Sequence, residues 1–202
     1  MLPKAQQVLD ELPVRDLISW NALIAGYVQK HLYYEALDCF ERMQNEGLSP
    51  DEVTFVTMLK ACGYVGALDR GKRIHDKIVN HGFLKKDVML GNALVDMYAK
   101  CRELAKSQEV LEDLLFRSTI SWNSVIAGYA QQGQLHKALN CLKEMKYEGL
   151  SPDLITFIYL LTACGISGAL DKGEEIHYEI RSRDLLLKNV AVGNALVDMY
   201  VK

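Results

Sequence analysis

The chain has 202 residues, of which half are hydrophobic and 24% are charged, and its formal net charge is −3. This composition is typical of a soluble folded protein and argues against intrinsic disorder. No apolar run approaches the roughly 18 residues that a membrane-spanning helix needs. The small net charge provides no global attraction to nucleic-acid phosphates, although it does not exclude a local cationic surface.

The first predicted helix covers residues 4–15, "KAQQVLDELPVR". Residues 17–51 then hold two helical patterns, "ISWNALIAGYVQK" and "YEALDCFERMQNEG", in which apolar residues recur at spacings of three and four. The second pattern ends at Gly47, the residue type favoured just past a helix C-terminus. These two patterns predict a helix hairpin.

The next helix is predicted to begin within "SPDE". Ser49 is the expected N-cap, Pro50 the first helical residue and Glu52 the partner in a capping box. This helix carries "VTFVTMLKAC", is predicted to break at "GYVG", and is followed by "ALDRGKRIHDKIVNHG". A third helix pair is predicted in "VMLGNALVDMYAK" and "ELAKSQEVLEDLL".

The whole pattern then repeats: "ISWNALIAGYVQK" returns as "ISWNSVIAGYAQQ", and "GNALVDMY" occurs twice, in each case 102 residues apart. Such self-similarity indicates a repeat architecture. The complete units span 17–51, 52–87, 88–118, 119–153 and 154–189, with residues 4–15 and 190–202 as half units. We therefore predict an all-α fold, an α-solenoid of about twelve helices. Because each end cuts a unit in half, end-to-end self-association is also expected.

Two families of helix-hairpin repeats fit this pattern. The tetratricopeptide spacing is matched by Trp20, Leu23, Tyr27, Ala36 and Phe40. That family, however, has a glycine where Ile24 stands and a constant unit of 34 residues, and this chain has neither. A tetratricopeptide-like scaffold that binds a peptide on its concave face is the alternative interpretation.

The alternation of units of 35, 36 and 31 residues closely resembles the pentatricopeptide repeat family, in particular its plant PLS class of P, L and S motifs. On this resemblance, 17–51 and 119–153 are P motifs, 52–87 and 154–189 are L motifs, and 88–118 is an S motif. Residues 4–15 would be the second helix, and 190–202 the first helix, of partial S motifs. The resemblance implies a right-handed superhelix that binds single-stranded RNA.

In that family, RNA binding is sequence-specific, with one base per repeat, and takes place in mitochondria or chloroplasts. The resemblance implies the recognition segment of an organellar RNA-processing or C-to-U editing factor. It also implies that the L motifs either spread the array or contact protein cofactors of editing. The N-terminal sequence has neither a secretion signal nor the Arg/Ser-rich character of a transit peptide, so we expect any targeting segment to have been removed.

Members of the family recognise a base with the fifth and the last residue of each motif. The fifth residues here are Asn21, Val56, Asn92, Asn123, Ile158 and Asn194; the last residues are Asp51, Asp87, Ser118, Asp153 and Asn189. An Asn amide offers a donor and an acceptor, and a carboxylate beside it fixes which way it points. The resemblance implies that Asn21 with Asp51, and Asn123 with Asp153, prefer uridine.

The remaining positions have different implied roles. Asn92 with Ser118 would favour cytidine, whereas Val56 and Ile158 can neither donate nor accept a hydrogen bond. The second residue of each motif would insert between successive bases: these residues are Ile18, Val53, Met89, Ile120, Ile155 and Ala191. Lys100 and Lys202, at the ends of first helices, are candidate phosphate contacts.

The residues alone allow simpler roles. Asp51 and Asp153 would be favoured near a helix N-terminus by the helix dipole without any RNA. The asparagines could be ordinary hydrogen-bonding groups between repeats, and Ile18 with its equivalents could be core residues. Those alternatives remain open at this point.

Neither catalysis nor a cofactor is expected. His177 begins the H-x-E form of zinc deaminases, but no P-C-x-x-C follows it, and we expect it on a polar helix face. Nucleotide-binding and hydrolase motifs are also absent. The cysteines are widely spaced and predicted to be reduced, buried, structural thiols: Cys39, Cys62, Cys101, Cys141 and Cys164.

Overall fold

The computed structural model describes residues 1–85, 87–185 and 189–202. Within these ranges the chain forms twelve α-helices, one 3₁₀ helix and no β-strand. The helices are α1 (Leu2–Glu11), α2 (Leu17–Gln29), α3 (Tyr33–Asn45), α4 (Glu52–Val65), α5 (Leu68–Asn80), η1 (Phe83–Lys85), α6 (Val88–Lys100), α7 (Leu104–Asp113), α8 (Thr119–Gln131), α9 (Leu135–Tyr147), α10 (Leu154–Ser167), α11 (Leu170–Ser182) and α12 (Val190–Val201). The predicted all-α fold is confirmed. None of the helices in these ranges is long and apolar enough to cross a membrane.

Above the level of the repeat units, the chain forms two compact units, Met1–Glu103 and Leu104–Lys202, which we call the first unit and the second unit. In the first unit α2 packs against α3 and α4, and α4 packs against α5 and α6. The second unit repeats this arrangement, since α8 packs against α9 and α10, and α10 packs against α11 and α12. First helices thus form a row within each unit, which brings the fifth residues of successive repeats onto neighbouring helices.

The cores are built from apolar residues that the two rounds share. Trp20, Phe55 and Met58 are fully or almost fully buried in the first unit, and Trp122 and Phe157 are buried at the same places in the second. Burying a large apolar side chain contributes about 1.5–3 kcal/mol. The recurrence of an aromatic residue at the fourth position of a first helix therefore reflects core packing.

The predicted start of α4 is wrong. The helix begins at Glu52 with Asp51 as its N-cap, and Ser49 and Pro50 precede it. Asp51 accepts a 2.8 Å hydrogen bond from the backbone N–H of Thr54, whose side chain completes the capping box. A carboxylate is favoured at the positive end of a helix, so Asp51 caps in place of the serine. In the second unit Asp153 caps α10 in the same way.

The predicted break at "GYVG" is displaced. Helix α4 continues through Gly63 to Val65 and ends at Gly66, whose φ of 67° lies in the left-handed region. A Cβ at Gly63 would lie 3.3 Å from Met97 Cα on α6, so the glycine allows these two backbones to approach closely. Gly63 is therefore a packing residue inside the helix, and Gly66 terminates it.

The five cysteines are free thiols. Cys39, Cys62, Cys141 and Cys164 are buried, as predicted, whereas Cys101 is only partly buried. Burial raises the pKa of the Cys62 and Cys141 thiols to about 12. These groups are protonated at neutral pH and act as small apolar core residues.

Candidate nucleic-acid interface

Asn21, Asp51 and Thr54 form a hydrogen-bonded cluster between α2 and the beginning of α4. Asn21 Nδ2 donates to both carboxylate oxygens of Asp51, at 3.2 and 3.3 Å. The hydroxyl of Thr54 donates to Asn21 Oδ1 at 2.7 Å and lies 2.6 Å from Asp51 Oδ1. The amide nitrogen thus faces an acceptor and the amide oxygen faces a donor, which defines the orientation of the side chain.

The same cluster recurs in the second unit. Asn123 Nδ2 donates to Asp153 Oδ1 at 3.0 Å, and the Thr156 hydroxyl donates to Asn123 Oδ1 at 2.6 Å. Asn21 is partly buried, whereas Asn123 is only 6% exposed. The predicted pairing of a fifth-position amide with a last-position carboxylate is therefore present twice. We call each such set an Asn–Asp–Thr cluster.

The carboxylates of both clusters are stabilised in their charged form. Burial by itself would raise the pKa of Asp51, but hydrogen bonds from Thr54 and Asn21 outweigh it and hold that pKa below its ordinary value. Burial opposes the charge of Asp153 as well, and bonds from Thr156 and Asn123 likewise lower its pKa. Each amide therefore faces a negative charge at neutral pH.

The last-position residues of the other repeat units are also helix N-caps. Asp87 caps α6 by accepting from Met89 N and Leu90 N, and Asn189 caps α12 by accepting from Ala191 N. Ser118 caps α8 in a capping box with Ser121. Each last-position residue thus caps the N-terminus of the helix that follows it. For Asp51 and Asp153, the amide contact is added to this capping role.

Four of the predicted base-recognition residues differ from the cluster pattern. Asn92 is partly buried on α6 and Asn194 is exposed on α12. Val56 and Ile158 are partly buried and carry no polar side-chain atom. Asn92 and Ser118 belong to one repeat unit, 88–118, but they lie on either side of the boundary between the two compact units. Their pairing and its preference for cytidine stay predictions.

The residues predicted to insert between bases share a position in the first turn of each first helix. Their side chains are between 50% and 77% exposed: Ile18, Val53, Met89, Ile120 and Ile155. Their interpretation as core residues is wrong. Exposed apolar side chains at this position offer a surface against which a nucleobase can pack.

Two further predictions concern charged and titratable groups. Lys100 forms an ion pair with Asp96 and Lys202 forms one with Asp198, each one turn away on its own helix. His177 is partly buried, and its Nδ1 lies 3.0 Å from the hydroxyl of Tyr200, a contact between α11 and α12. A role for either lysine in phosphate binding stays a prediction.

Thr54 and Thr156 were missed in the sequence analysis. Each lies 33 residues after the amide that it contacts, and no local pattern connects residues at that distance. The sequence signal that could have identified them is at the third position of each repeat unit. This position carries a hydroxyl in some units and an aliphatic side chain in others.

These features define the chain as an all-α protein built from repeated helix hairpins, with polar clusters where one repeat meets the next. A model of the PPR repeat family matches residues 15–63 and 117–165. The chain belongs to the pentatricopeptide repeat family, and this assignment favours the pentatricopeptide over the tetratricopeptide interpretation. Its division into P, L and S motifs, with the boundaries given above, stays a prediction.

Known proteins resemble most of the chain. A mitochondrial pentatricopeptide repeat-containing protein of Arabidopsis thaliana is 35% identical over 234 residues, which cover 100% of this chain and 34% of that protein. A chloroplastic one from the same plant is 39% identical over 178 residues, covering 87% of this chain and 24% of the relative. The chain therefore spans about a third or less of the length of these curated relatives.

A solved structure shares the fold. The crystal structure of the pentatricopeptide repeat protein PPR10 in complex with an 18-nt psaJ RNA element matches with a TM-score of 0.84. The sequence identity is 23%, and the match covers 98% of this chain and 29% of PPR10. The likeness establishes the α-solenoid fold of this chain.

Proposed function

We propose that this chain is the RNA-recognition segment of an organellar RNA-processing or C-to-U editing factor, and that it binds single-stranded RNA with one base per repeat. The observation that carries the proposal is the duplicated contact between a fifth-position Asn and a last-position Asp, 3.0 to 3.3 Å long in the two units. Exposed Ile18 and Ile120 stand three residues before the two amides. On α2 and α8, an exposed apolar side chain and an oriented polar group therefore lie in the same part of the helix.

The chemistry of the cluster suits a pyrimidine. One N–H of the Asn21 amide points between the two oxygens of Asp51, and one lone pair of its oxygen accepts from Thr54, so a second N–H and a second lone pair remain for a base. Uracil presents an N3–H donor beside carbonyl acceptors, which complements that pair. With RNA running 5′ to 3′ from the N- to the C-terminal repeat, the expected register is U-n-C-U-n-pyrimidine.

Several aspects of the proposal come from known proteins. PPR10 was crystallised with RNA, which supports single-stranded RNA as the ligand of the same fold. Relatives named mitochondrial and chloroplastic support one of those organelles as the location. In the proposal the chain itself acts by binding and not by catalysis. Proteins that assist editing contact the L motifs, where Val56 and Ile158 provide no base-specific group.

The proposal is tested with labelled single-stranded RNAs that carry each of the four bases opposite Asn21. In the unmodified chain uridine should bind most tightly at that position. Asn21→Thr should shift the preference towards guanosine, following the pattern of the family. Asn80→Thr, on the exposed end of second helix α5, is the matched control and should change nothing. Equal affinity for all four RNAs would refute sequence-specific recognition.

A further inference from the structure

In two repeat units, the third residue contacts the amide of the unit before it. Thr54 is 1% exposed and Thr156 is 0% exposed, and the only polar side-chain atom of each lies within 2.7 Å of an Asn Oδ1. The same hydroxyl lies 2.6 Å from Asp51 in the first cluster and 2.9 Å from Asp153 in the second. Because it has one proton for two acceptors, the hydroxyl couples the orientation of the amide to that of the carboxylate.

Across the chain, the type of third residue follows the type of fifth residue in the preceding unit. After a unit with Asn at the fifth position, the third residue carries a hydroxyl: Thr54, Ser121 and Thr156. After the units with Val56 or Ile158, it is aliphatic, namely Leu90 or Val192, and both are buried. A hydroxyl at the third position thus follows an Asn at the fifth position of the preceding unit, and for Thr54 and Thr156 it bonds to that Asn.

Helix capping does not require a hydroxyl at this position. Asp87 and Asn189 cap α6 and α12 although Leu90 and Val192 have no hydroxyl to complete a capping box. A hydroxyl at the third position is thus dispensable for starting a first helix. What distinguishes Thr54 and Thr156 is the bond to the amide oxygen.

We propose that Thr54 and Thr156 are positioning residues that set the base preference of the preceding repeat by anchoring its amide oxygen. This inference rests on the proposed RNA-binding function. Uracil presents a donor at N3 beside a carbonyl, whereas cytosine presents an acceptor at N3 beside an amino group. If the Asn amide rotates by 180°, its donor and its acceptor change places. The preferred base would then change from one pyrimidine to the other. Asp51 accepts a hydrogen bond from Asn21 Nδ2, and Thr54 donates one to Asn21 Oδ1, so together they prevent this rotation.

The test is Thr54→Val, which replaces the hydroxyl by a methyl group of similar size. The ratio of affinities for RNAs with uridine and with cytidine opposite Asn21 should fall by about three- to tenfold, the equivalent of one hydrogen bond. The same ratio measured opposite Asn123 should not change, because that amide has its own threonine. Thr54→Ser keeps the hydroxyl and should restore the ratio opposite Asn21.

Thr57→Val is the matched control. Thr57 lies one turn further along α4, and its hydroxyl bonds to the backbone oxygen of Val53 at 2.8 Å. This variant should leave both ratios unchanged. If Thr54→Val reduces the affinity for every RNA equally, or leaves the ratio opposite Asn21 intact, the positioning role is refuted.

A second variant covers the case in which Thr54→Val does not fold. Thr156→Val should lower the uridine preference opposite Asn123 alone, with helical circular dichroism confirming the fold. The failure of the proposed function has a different signature, because the unmodified chain would then show no base preference at either position. That outcome would refute both proposals, whereas a preference that survives Thr156→Val refutes only the positioning role.

Discussion

The side-chain amide of Asn123 donates a 3.0 Å hydrogen bond to Asp153, although the two residues are 30 positions apart. Asp153 is also the N-cap of α10. One carboxylate therefore caps the N-terminus of a helix and orients the Asn amide of the preceding repeat. Asp51 has the same two roles towards α4 and Asn21.

These two roles can be separated by substitution. Asp51→Ala should lower the free energy of unfolding by about 1 kcal/mol through the lost N-cap, and should also reduce the uridine preference opposite Asn21. Asp87→Ala is the matched control, since Asp87 caps α6 and the fifth residue of its unit is Val56. It should cost similar stability, as measured by chemical denaturation, without changing any base preference. A loss of preference in both variants would contradict the assigned roles.

Stability should depend on pH through Asp51 and Asp153. Their pKa values are lowered from 3.8 in the folded protein, so the stabilisation is complete above that value and is lost as the pH falls through the folded-state pKa. The double variant Asp51→Asn, Asp153→Asn keeps good N-caps but does not titrate. Its free energy of unfolding, measured from pH 6 down to about pH 2, should fall less steeply than that of the unmodified chain. Parallel profiles would show that other carboxyl groups determine the acid sensitivity.

Glu148 joins the two helices of one hairpin. Its Oε2 accepts a 2.9 Å bond from Nε1 of the buried Trp122, and its other oxygen forms an ion pair with Arg117. Glu148→Ala should cost about 1–3 kcal/mol because the indole N–H loses its partner. Glu144→Ala, one turn earlier on the exposed side of α9, should stay within about 0.5 kcal/mol of the unmodified chain. Thermal unfolding of the two variants distinguishes these effects, and equal melting temperatures would contradict the prediction.

The first-turn isoleucines should matter for RNA and not for folding. Ile120→Ala should change the free energy of unfolding by less than about 0.5 kcal/mol, because this side chain is exposed, yet weaken RNA binding. Ile126→Ala, on the same helix but fully buried, should cost about 2–5 kcal/mol. Denaturation and RNA titration of both variants test this. Unchanged RNA affinity in folded Ile120→Ala would exclude insertion between bases.

The thiols should react in an order set by burial. Burial raises the pKa of Cys39 and Cys164 to about 11; it raises the pKa of Cys101 as well, but this thiol is only partly buried and can be reached by a reagent. A maleimide reagent at pH 8 should therefore modify Cys101 first, and the other thiols only after unfolding. Cys101→Ser should abolish the fast phase when labelling is followed by mass spectrometry. A fast phase that persists would place a second accessible thiol in the folded chain.

The repeated hairpins were predictable because helix periodicity and turn residues are local signals. The apolar spacings of "YEALDCFERMQNEG" and the glycine after it are sufficient to predict α3 and its end. The N-cap of α4 was misplaced because Ser49 and Asp51 are both good capping residues, and only the backbone conformation chooses between them. Asp51 has the extended φ and ψ of an N-cap, with its side chain on the Thr54 N–H.

The sequence by itself determined the fold class, the repeat and the residues that could recognise a base, because duplication placed Asn21 and Asn123 at equivalent positions. The tertiary structure decided what those residues touch. The Thr54 hydroxyl lies on Asn21 only because α2 and α4 pack side by side, 33 residues apart in the chain. Contacts between repeats depend on how the helices are stacked, and a local sequence pattern carries no information about that distance.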